Sequence, residues 1–329
     1  LHDRRECCYE WWSRRMVNPK VVFTGLYRYS PQITNLTIKE RINLIKESGI
    51  DEIYWYVWKG FADDEIAKHG VNIVEIDEPF PHVRGIMGRQ RQIYNFKSCL
   101  SDFDDNDIIL KLRWDLDFTS KLIENVTNPN FFDAIKDGAI KNKVWTGFYS
   151  IQELFSPADV SFAGFKRDLD KIINFDFKIN GVSSNNYISH DGMMLMPYLI
   201  SLNEKVSKLI KSSEPMPNGL MYENHYQNME RWYDAWAYSY FLLHKYFKTG
   251  PLGTCYFKRG DMSRWPSSIV HYEFFQHNYD TMIGRAPKLG LYPRYRVYDD
   301  VFINRLISGY YQDEFAQNIS RIINEKYLT

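Results

Sequence analysis

The chain has 329 residues, of which 44% are hydrophobic and 25% charged; this is the composition of an ordinary globular protein and argues against intrinsic disorder. Its 41 basic residues balance 41 acidic ones, so no overall field favours nucleic acid or a membrane surface, and any phosphate binding must be local. Its four cysteines lack disulfide or metal-binding spacing, which favours a reducing compartment, and no apolar run is long enough to cross a bilayer.

The first 120 residues alternate strand and helix patterns. After residues 1–19, interpreted as an N-terminal extension, an apolar run is expected to form a strand and to turn at Gly25. Thr37 and Glu40 form a capping-box pattern that opens the first helix. The predicted strands are 20–29, 51–58 and 71–77, and the predicted helices are 37–49, 60–67 and 88–100. This alternation predicts a parallel sheet with helices on both faces.

A fourth predicted strand carries the most informative motif of the chain. An acidic turn at residues 102–107 leads into the apolar segment 108–112, and Asp115 and Asp117 follow one residue apart. Ligands of open α/β sheets bind outside the carboxyl ends of the strands, and carboxylate oxygens suit Mg²⁺ or Mn²⁺. The Asp-Leu-Asp motif is therefore predicted to hold Mn²⁺ or Mg²⁺ against a diphosphate, with chance occurrence of Asp-X-Asp as the alternative.

The rest of the chain adds two predicted strands and a growing share of helix. Helices are expected at 122–136, 166–175, 198–212, 224–247 and 298–326, the last as one helix or two. A strand is expected at 144–149, and a turn followed by a strand over 155–164. Pro129 is expected to break the first of these helices, and Gly164 indicates a close approach to a neighbouring element. The aromatic residues of 224–247 recur at helical spacing and predict an amphipathic helix against the sheet.

Several basic and amide side chains are candidates for binding a nucleotide. Arg113 alternates with Leu112 and Trp114, so it is expected to share a face with Asp115 and Asp117, either as a phosphate partner or in a structural ion pair with these carboxylates. The further candidates, each with a structural or surface role as the alternative, are Gly25, Arg28, Arg89, Arg91 and Asn95.

Downstream acids and histidines compete for the remaining roles. Asp191 and Glu223 are candidates for the base that takes the proton of an acceptor hydroxyl. His225 or His190 is a candidate for completing the metal shell, with a structural hydrogen-bonded histidine as the alternative. Asp299 and Asp300 are interpreted instead as acidic residues at the start of the last helices, where the helix dipole favours them.

The order of these elements resembles the first half of a GT-A-type glycosyltransferase. More narrowly, residues 89–95 (Arg-Gln-Arg-Gln-Ile-Tyr-Asn), 109–115 (Ile-Leu-Lys-Leu-Arg-Trp-Asp) and 155–164 resemble the WavE-type lipopolysaccharide synthesis family. The resemblance covers residues 20–230. It implies a GT-A-like (Rossmann-like) α/β fold, with a mostly parallel sheet flanked by helices and a helical, aromatic C-terminal part. It also implies that Asp115 and Asp117 correspond to the metal-binding pair, although the family pattern emphasises the first acid.

The resulting hypothesis is a metal-assisted glycosyltransferase that moves a sugar from a nucleotide-sugar donor to a bacterial surface glycan, lipopolysaccharide or capsule. Residues 20–120 would hold the nucleotide and residues 121–329 the acceptor, within a single domain. No nucleic acid partner is expected, and the expected location is cytoplasmic, with peripheral association at the inner face of the cytoplasmic membrane left open. The alternatives are a nucleotidyltransferase acting on a sugar phosphate, for which Gly25-Leu-Tyr-Arg28 is a poor glycine-rich loop, and a non-catalytic carbohydrate-binding protein.

Overall fold

The structure is a computed structural model, and the N-terminal extension predicted over residues 1–19 lies outside its described residues except for Pro19. The described residues are 19–27, 34–78, 87–136, 138–147, 149, 155, 157, 161–173, 197–211, 233–249, 255–256, 300–312 and 314–329.

The predicted alternation of strands and helices in the first part of the chain is confirmed. The elements are β1 (Pro19–Thr24), α1 (Ile38–Glu47), β2 (Ile53–Trp58), α2 (Asp64–Ala67), β3 (Asn72–Ile76), α3 (Met87–Leu100) and β4 (Ile108–Arg113). Local signals explain two of the helix starts, because Thr37 forms the predicted capping box with Glu40 and Asp63 accepts a hydrogen bond from the backbone of Glu65.

The described strands form one large mixed sheet and one small one. The later strands are β5 (Asp117–Phe118), β6 (Val144–Thr146), β7 (Phe162–Phe165), β8 (Phe247–Lys248) and β9 (Cys255–Tyr256). The seven-stranded sheet has the order β3-β2-β1-β4-β7-β6-β8, and β5 pairs with β9 in a separate two-stranded sheet. The first four strands are mutually parallel, whereas β7 is antiparallel to both of its neighbours. The predicted mostly parallel α/β sheet is therefore confirmed.

The later helices differ from the prediction where they end. They are α4 (Ser120–Val126), α5 (Lys166–Ile172), α6 (Pro197–Ser201), α7 (Glu204–Lys211), α8 (Tyr233–Tyr246), α9 (Asp300–Ile307) and α10 (Glu314–Lys326). The helix predicted over 122–136 already ends at Val126, and a 3₁₀ turn at Pro129–Phe131 follows it. The helix predicted over 198–212 is divided at Asn203, whose side chain accepts a hydrogen bond from Val206 N–H and caps the second part.

Two apolar clusters cover opposite faces of the large sheet. Val21 and Phe23 of β1 belong to a cluster with residues of α1, α2 and α4. Val22, which points the other way, belongs to a cluster with residues of α3, α5 and the C-terminal helices α8, α9 and α10. Helices therefore cover both faces, as predicted.

Helix α8 is buried far more completely than an amphipathic surface helix. Ten of its fourteen residues are buried, among them Trp236, Tyr240 and Leu243 of the predicted aromatic stripe. The amphipathic interpretation of this segment is therefore wrong over the described residues, because α8 has α9, α10 and the edge strand β8 around it. The close approach predicted at Gly164 is confirmed, since a Cβ there would lie 3.2 Å from Val144 Cγ2.

Among the described helices, none combines the length and the apolar character that a membrane crossing requires.

Candidate functional site

The direction in which successive strands are added changes between β1 and β4. From β1 the chain adds β2 and then β3 on one side, whereas β4 lies on the other side of β1. Thr24, the last residue of β1, pairs in register with Arg113, the last residue of β4. Such a switch point opens a crevice outside the carboxyl ends of the strands, and open α/β sheets bind their ligands there. The candidate site is therefore the edge of the sheet that follows Thr24 and Arg113.

Gly25 turns the chain sharply at this edge. Its φ is +86°, a backbone conformation that side-chain-bearing residues rarely adopt, so the predicted glycine turn is confirmed. Its carbonyl oxygen accepts a hydrogen bond of 2.9 Å from the indole N–H of Trp55 in β2. The turn is therefore tied to the neighbouring strand β2, and it follows the residue of β1 that pairs with the end of β4.

Arg113 and Asp115 form a bidentate ion pair at the end of β4. Arg113 Nε donates to Asp115 Oδ1 at 2.8 Å, and Arg113 Nη2 donates to Asp115 Oδ2 at 2.7 Å. The two side chains keep 20% and 29% of their surface exposed. The expected shared face of Arg113 and Asp115 is thus present, and the ion pair weighed as the alternative role of Arg113 is what the structure shows. A guanidinium in this fork geometry also suits phosphate.

Asp117 lies in a different environment from Asp115. It is completely buried, and its Oδ2 accepts a hydrogen bond of 2.7 Å from Asn35 N–H. Its Oδ1 accepts hydrogen bonds from Leu36 N–H at 3.3 Å and from Arg41 Nη2 at 2.8 Å. The two acids proposed as a metal-binding pair therefore have separate partners, and protein donors already surround the second one.

Arg41, which is not among the site residues predicted from the sequence, binds Asp117 from within α1. Only 2% of it is exposed, although arginine is seldom buried without a partner. A signal for its role was present in the sequence, because Arg41 stands between Ile38 and Ile45 at the i, i+3 and i+4 spacing of one helix face. A charged residue on the apolar face of a helix indicates a buried partner.

Arg91 and Asn95 lie one turn apart on α3, and both are engaged within the protein. Arg91 Nε lies 2.6 Å from Glu78 Oε1, just beyond the end of β3. Asn95 is fully buried, and its Nδ2 donates to the carbonyl oxygen of Tyr56 in β2 at 2.9 Å. The interpretation of Asn95 as an amide on the helix surface is therefore wrong, and its buried Oδ1 has no hydrogen-bond partner in the described part of the chain.

Some of the predicted site residues cannot be placed at this edge. Arg28, Asp191, Glu223 and His225 lie outside the described residues, as do His190 and the side chain of Arg89. Within the described ranges, no three or more His, Cys, Asp or Glu side chains are grouped so that they could hold a metal ion. The described part of the site therefore consists of the Gly25 turn, the Arg113–Asp115 pair, and Arg91 and Asn95 on α3.

These features define the class of protein. The chain is an α/β protein whose mostly parallel, seven-stranded sheet is flanked by helices, an arrangement compatible with a Rossmann-like fold. Compared with protein-family models and with curated proteins, the sequence gives no match.

Proposed function

We propose that the chain is a glycosyltransferase of the GT-A type, which moves a sugar from a nucleotide-sugar to a glycan acceptor. The observation that supports this function best is the position of the Arg113–Asp115 pair, which is partly exposed at the switch point and lies next to the Gly25 turn. The resemblance of residues 89–95 and 109–115 to the WavE-type family supports a bacterial surface glycan, lipopolysaccharide or capsule, as the acceptor.

Arg113 is the residue proposed to meet the leaving group. Transfer of the sugar breaks the bond between its anomeric carbon and the phosphate oxygen, and the departing nucleoside diphosphate gains negative charge. A guanidinium binds phosphate oxygens through two parallel hydrogen bonds, as it binds the carboxylate of Asp115 in the structure. A bound diphosphate would therefore compete with Asp115 for Arg113 and free that carboxylate.

The freed carboxylate of Asp115 is the proposed ligand of Mn²⁺ or Mg²⁺. Asp115 fits this role because it is partly exposed and offers hard oxygens, whereas the buried carboxylate of Asp117 is occupied by protein donors. One protein carboxylate is compatible with Mg²⁺, which is commonly held by one or two carboxylates together with substrate phosphates and water. A bound divalent ion would supply further positive charge to the leaving diphosphate.

The proposal also assigns the catalytic base, a second metal ligand, the two binding halves of the chain and the location in the cell. Asp191 and Glu223 remain the candidates for the base, and His225 the candidate for a second metal ligand. We assign nucleotide binding to residues 20–120 and acceptor binding to residues 121–329. The proposed location is the cytoplasm, with peripheral association at the inner face of the cytoplasmic membrane, and no nucleic acid partner is expected from the balanced charge.

The test is the binding of nucleoside diphosphates by the full chain. Uridine, guanosine, adenosine, cytidine and thymidine diphosphates would be titrated calorimetrically with and without Mn²⁺. We expect one of them to bind in a Mn²⁺-dependent manner, and Asp115→Asn to weaken that binding by at least about tenfold, which corresponds to about 1.4 kcal/mol.

Asp77→Asn is the matched control. Asp77 also follows a strand at this edge of the sheet, where it pairs with Lys59, but 81% of its side chain is exposed. The control should bind like the wild type. Diphosphate binding that ignores both Mn²⁺ and Asp115→Asn would contradict the proposal, and binding of oligosaccharides alone would instead indicate a carbohydrate-binding protein. Release of pyrophosphate from a nucleoside triphosphate and a sugar phosphate would indicate a nucleotidyltransferase.

A further inference from the structure

The carboxylate of Asp117 is held by three donors from one continuous stretch of chain, residues 35–41. The backbone N–H groups of Asn35 and Leu36, at the entrance to α1, donate to its two oxygens at 2.7 and 3.3 Å. Arg41 Nη2, from within α1, adds a third hydrogen bond at 2.8 Å. A carboxylate offers about four lone-pair positions, so three of them are already used inside the protein. Little of Asp117 is left for a ligand.

Arg41 also binds two backbone carbonyl groups, one from each of the two chain segments that meet at this carboxylate. Its Nη1 donates to the carbonyl oxygen of Leu116, and its Nε donates to the carbonyl oxygen of Leu36 at 3.2 Å. The guanidinium therefore binds the side chain of Asp117 and the peptide group immediately before it. The segment that connects Asp115 to Asp117 cannot shift without breaking these hydrogen bonds.

The position of Asp115 depends on the same segment. Leu116 N–H donates to the carbonyl oxygen of Arg113 at 3.2 Å, so residues 113–116 form a tight turn with Asp115 inside it. The end of β4 fixes Arg113 on one side of this turn. Arg41 fixes Leu116 on the other side, and Asp117 then enters β5, which pairs with β9.

We propose that Asp117 is a positioning residue and not a metal ligand, and that with Arg41 it fixes the turn that presents Asp115. We call these two residues the Arg41–Asp117 clamp. The inference rests on the proposed function, because it assigns a role relative to a metal-dependent nucleotide site. It assigns different roles to the two acids of the Asp-Leu-Asp motif: Asp115 binds the ion, and Asp117 orients Asp115.

The test compares Asp117→Asn, Arg41→Lys and the double variant with the wild type. For each full-length protein, the Kd of the nucleoside diphosphate is measured without and with Mn²⁺, and the ratio of the two constants is the readout. A general loss of folded protein raises both apparent dissociation constants by the same factor. A misplaced Asp115 instead lowers the ratio of the Kd without Mn²⁺ to the Kd with Mn²⁺. Circular dichroism and thermal unfolding establish how much of each variant is folded.

If the clamp positions Asp115, both single variants should lower the ratio by roughly tenfold, as observed for residues that orient metal ligands. In the double variant, the ratio should fall no further than in the more strongly affected of the two single variants, because both changes break the same contact. Arg167→Lys is the matched control, since Arg167 also bridges two segments, through Asn106 and Asn142, but belongs to the opposite edge of the sheet. It should leave the ratio unchanged.

The other outcomes overturn the inference in distinguishable ways. A ratio that falls in Asp117→Asn and stays at the wild-type value in Arg41→Lys would make Asp117 a direct ligand of the ion. Unchanged ratios in both would show that the clamp has no part in binding. If Asp117→Asn does not fold, Arg41→Lys decides alone by the same criterion. A wild type without Mn²⁺-dependent binding would instead overturn the proposed function, and this inference with it.

Discussion

Two buried hydroxyl groups in the structure differ in whether the protein provides them with a partner. Ser239 Oγ of α8 accepts a hydrogen bond of 2.7 Å from Phe155 N–H, and Phe155 is held at a φ of 56°. Thr24 Oγ1, at the end of β1, is buried and has no hydrogen-bond partner within the described ranges. A buried polar group without a partner keeps the cost of its lost hydration.

We expect Thr24→Val to raise the free energy of unfolding by about 1 kcal/mol, because a methyl group replaces an unpaired hydroxyl of similar shape. Ser239→Ala is the contrasting control. It should lower the free energy of unfolding by about 1–3 kcal/mol, since it leaves Phe155 N–H buried without its acceptor. Urea denaturation without ligand measures both variants. A Thr24→Val protein less stable than the wild type would show that the hydroxyl is satisfied.

Of the two acids in the Asp-Leu-Asp motif, Asp115 has a partner that could be predicted from the sequence, and Asp117 has one that could not. Strand alternation places residues i and i+2 on one face, and on that basis Arg113 is expected to share a face with Asp115 and Asp117. The rule holds only while the strand continues, and β4 ends at Arg113, so the contact between Arg113 and Asp115 comes from their ion pair across the turn that follows β4. The turn from Arg113 to Leu116 then sends Asp117 into the protein, toward Arg41. No local pattern in the sequence specifies that long-range partner.

Helix α1 begins with a complete capping box. Thr37 Oγ1 accepts a hydrogen bond from Glu40 N–H at 3.3 Å, and the Glu40 carboxylate accepts one from Thr37 N–H at 2.7 Å. The hydrogen bonds that the Glu40 carboxylate accepts from Thr37 N–H and from the Thr37 hydroxyl lower the pKa of Glu40. The two residues just before this cap are Asn35 and Leu36, which donate to Asp117. The start of α1 therefore sets the geometry of the Arg41–Asp117 clamp as well as its own stability.

We expect Thr37→Ala to lower the free energy of unfolding by about 1 kcal/mol, the usual cost of losing an N-cap side chain. Thr119→Ala is the matched control, because Thr119 is the N-cap residue of α4 but its side chain makes no capping hydrogen bond in the described structure. Its effect should stay below about 0.5 kcal/mol. Chemical denaturation compares the two, and equal losses in both variants would contradict the role given to the cap.

Elements with local signals were predictable, and their ends often were not. The capping box of α1, the positive φ at Gly25 and the close approach at Gly164 each follow from the needs of one or a few residues. The break expected at Pro129 is present, because Asn128 and Pro129 start a separate 3₁₀ turn, but α4 already ends at Val126, which the helical pattern does not indicate. Competing side-chain hydrogen bonds decide such boundaries, and periodicity does not record them.

A polar junction joins the C-terminal helices to the edge of the sheet. Lys143 Nζ donates to the carbonyl oxygen of His244 at 2.7 Å, and Tyr149 donates its hydroxyl to Asp300 at 2.7 Å. Asp300 also accepts from Thr249 N–H at 2.9 Å. Burial lowers the pKa of His244, the charge of Lys143 lowers it further, and a hydrogen bond with Asn304 opposes the shift only in part.

This direction predicts a loss of stability in acid. The pKa of His244 in the folded protein lies below its value of about 6.5 in the unfolded chain. As the pH falls through that unfolded value, the unfolded chain takes up the proton first, so the free energy of unfolding decreases until the folded pKa is passed. We expect His244→Gln to lose less stability than the wild type between about pH 7.5 and about pH 5.

Urea denaturation at the two pH values measures the difference. His69→Gln is the control for replacing a histidine elsewhere, because His69 follows the short helix α2 and takes no part in this junction. Equal losses of stability in His244→Gln and in the wild type would show that His244 does not cause the loss of stability in acid.

The global arrangement is only partly contained in local sequence patterns. The alternation of the first 120 residues predicted the parallel strands β1 to β4, because short crossovers leave few alternatives. The antiparallel insertion of β7 beside β4, and the pairing of β6 with β8, join residues far apart in the chain. Such pairings depend on which apolar faces fit each other, and neither spacing nor composition reveals this.

The neighbour of β4 has a consequence for how the protein is made. On the ribosome, β1 to β4 emerge together, but β4 receives its outer partner only when Phe162–Phe165 has been synthesised. Until then the outer edge of β4 has no partner strand, and it offers a surface on which nascent chains can join one another. Slow translation between these two strands would prolong that exposure, so the yield of native protein depends on the interval between them.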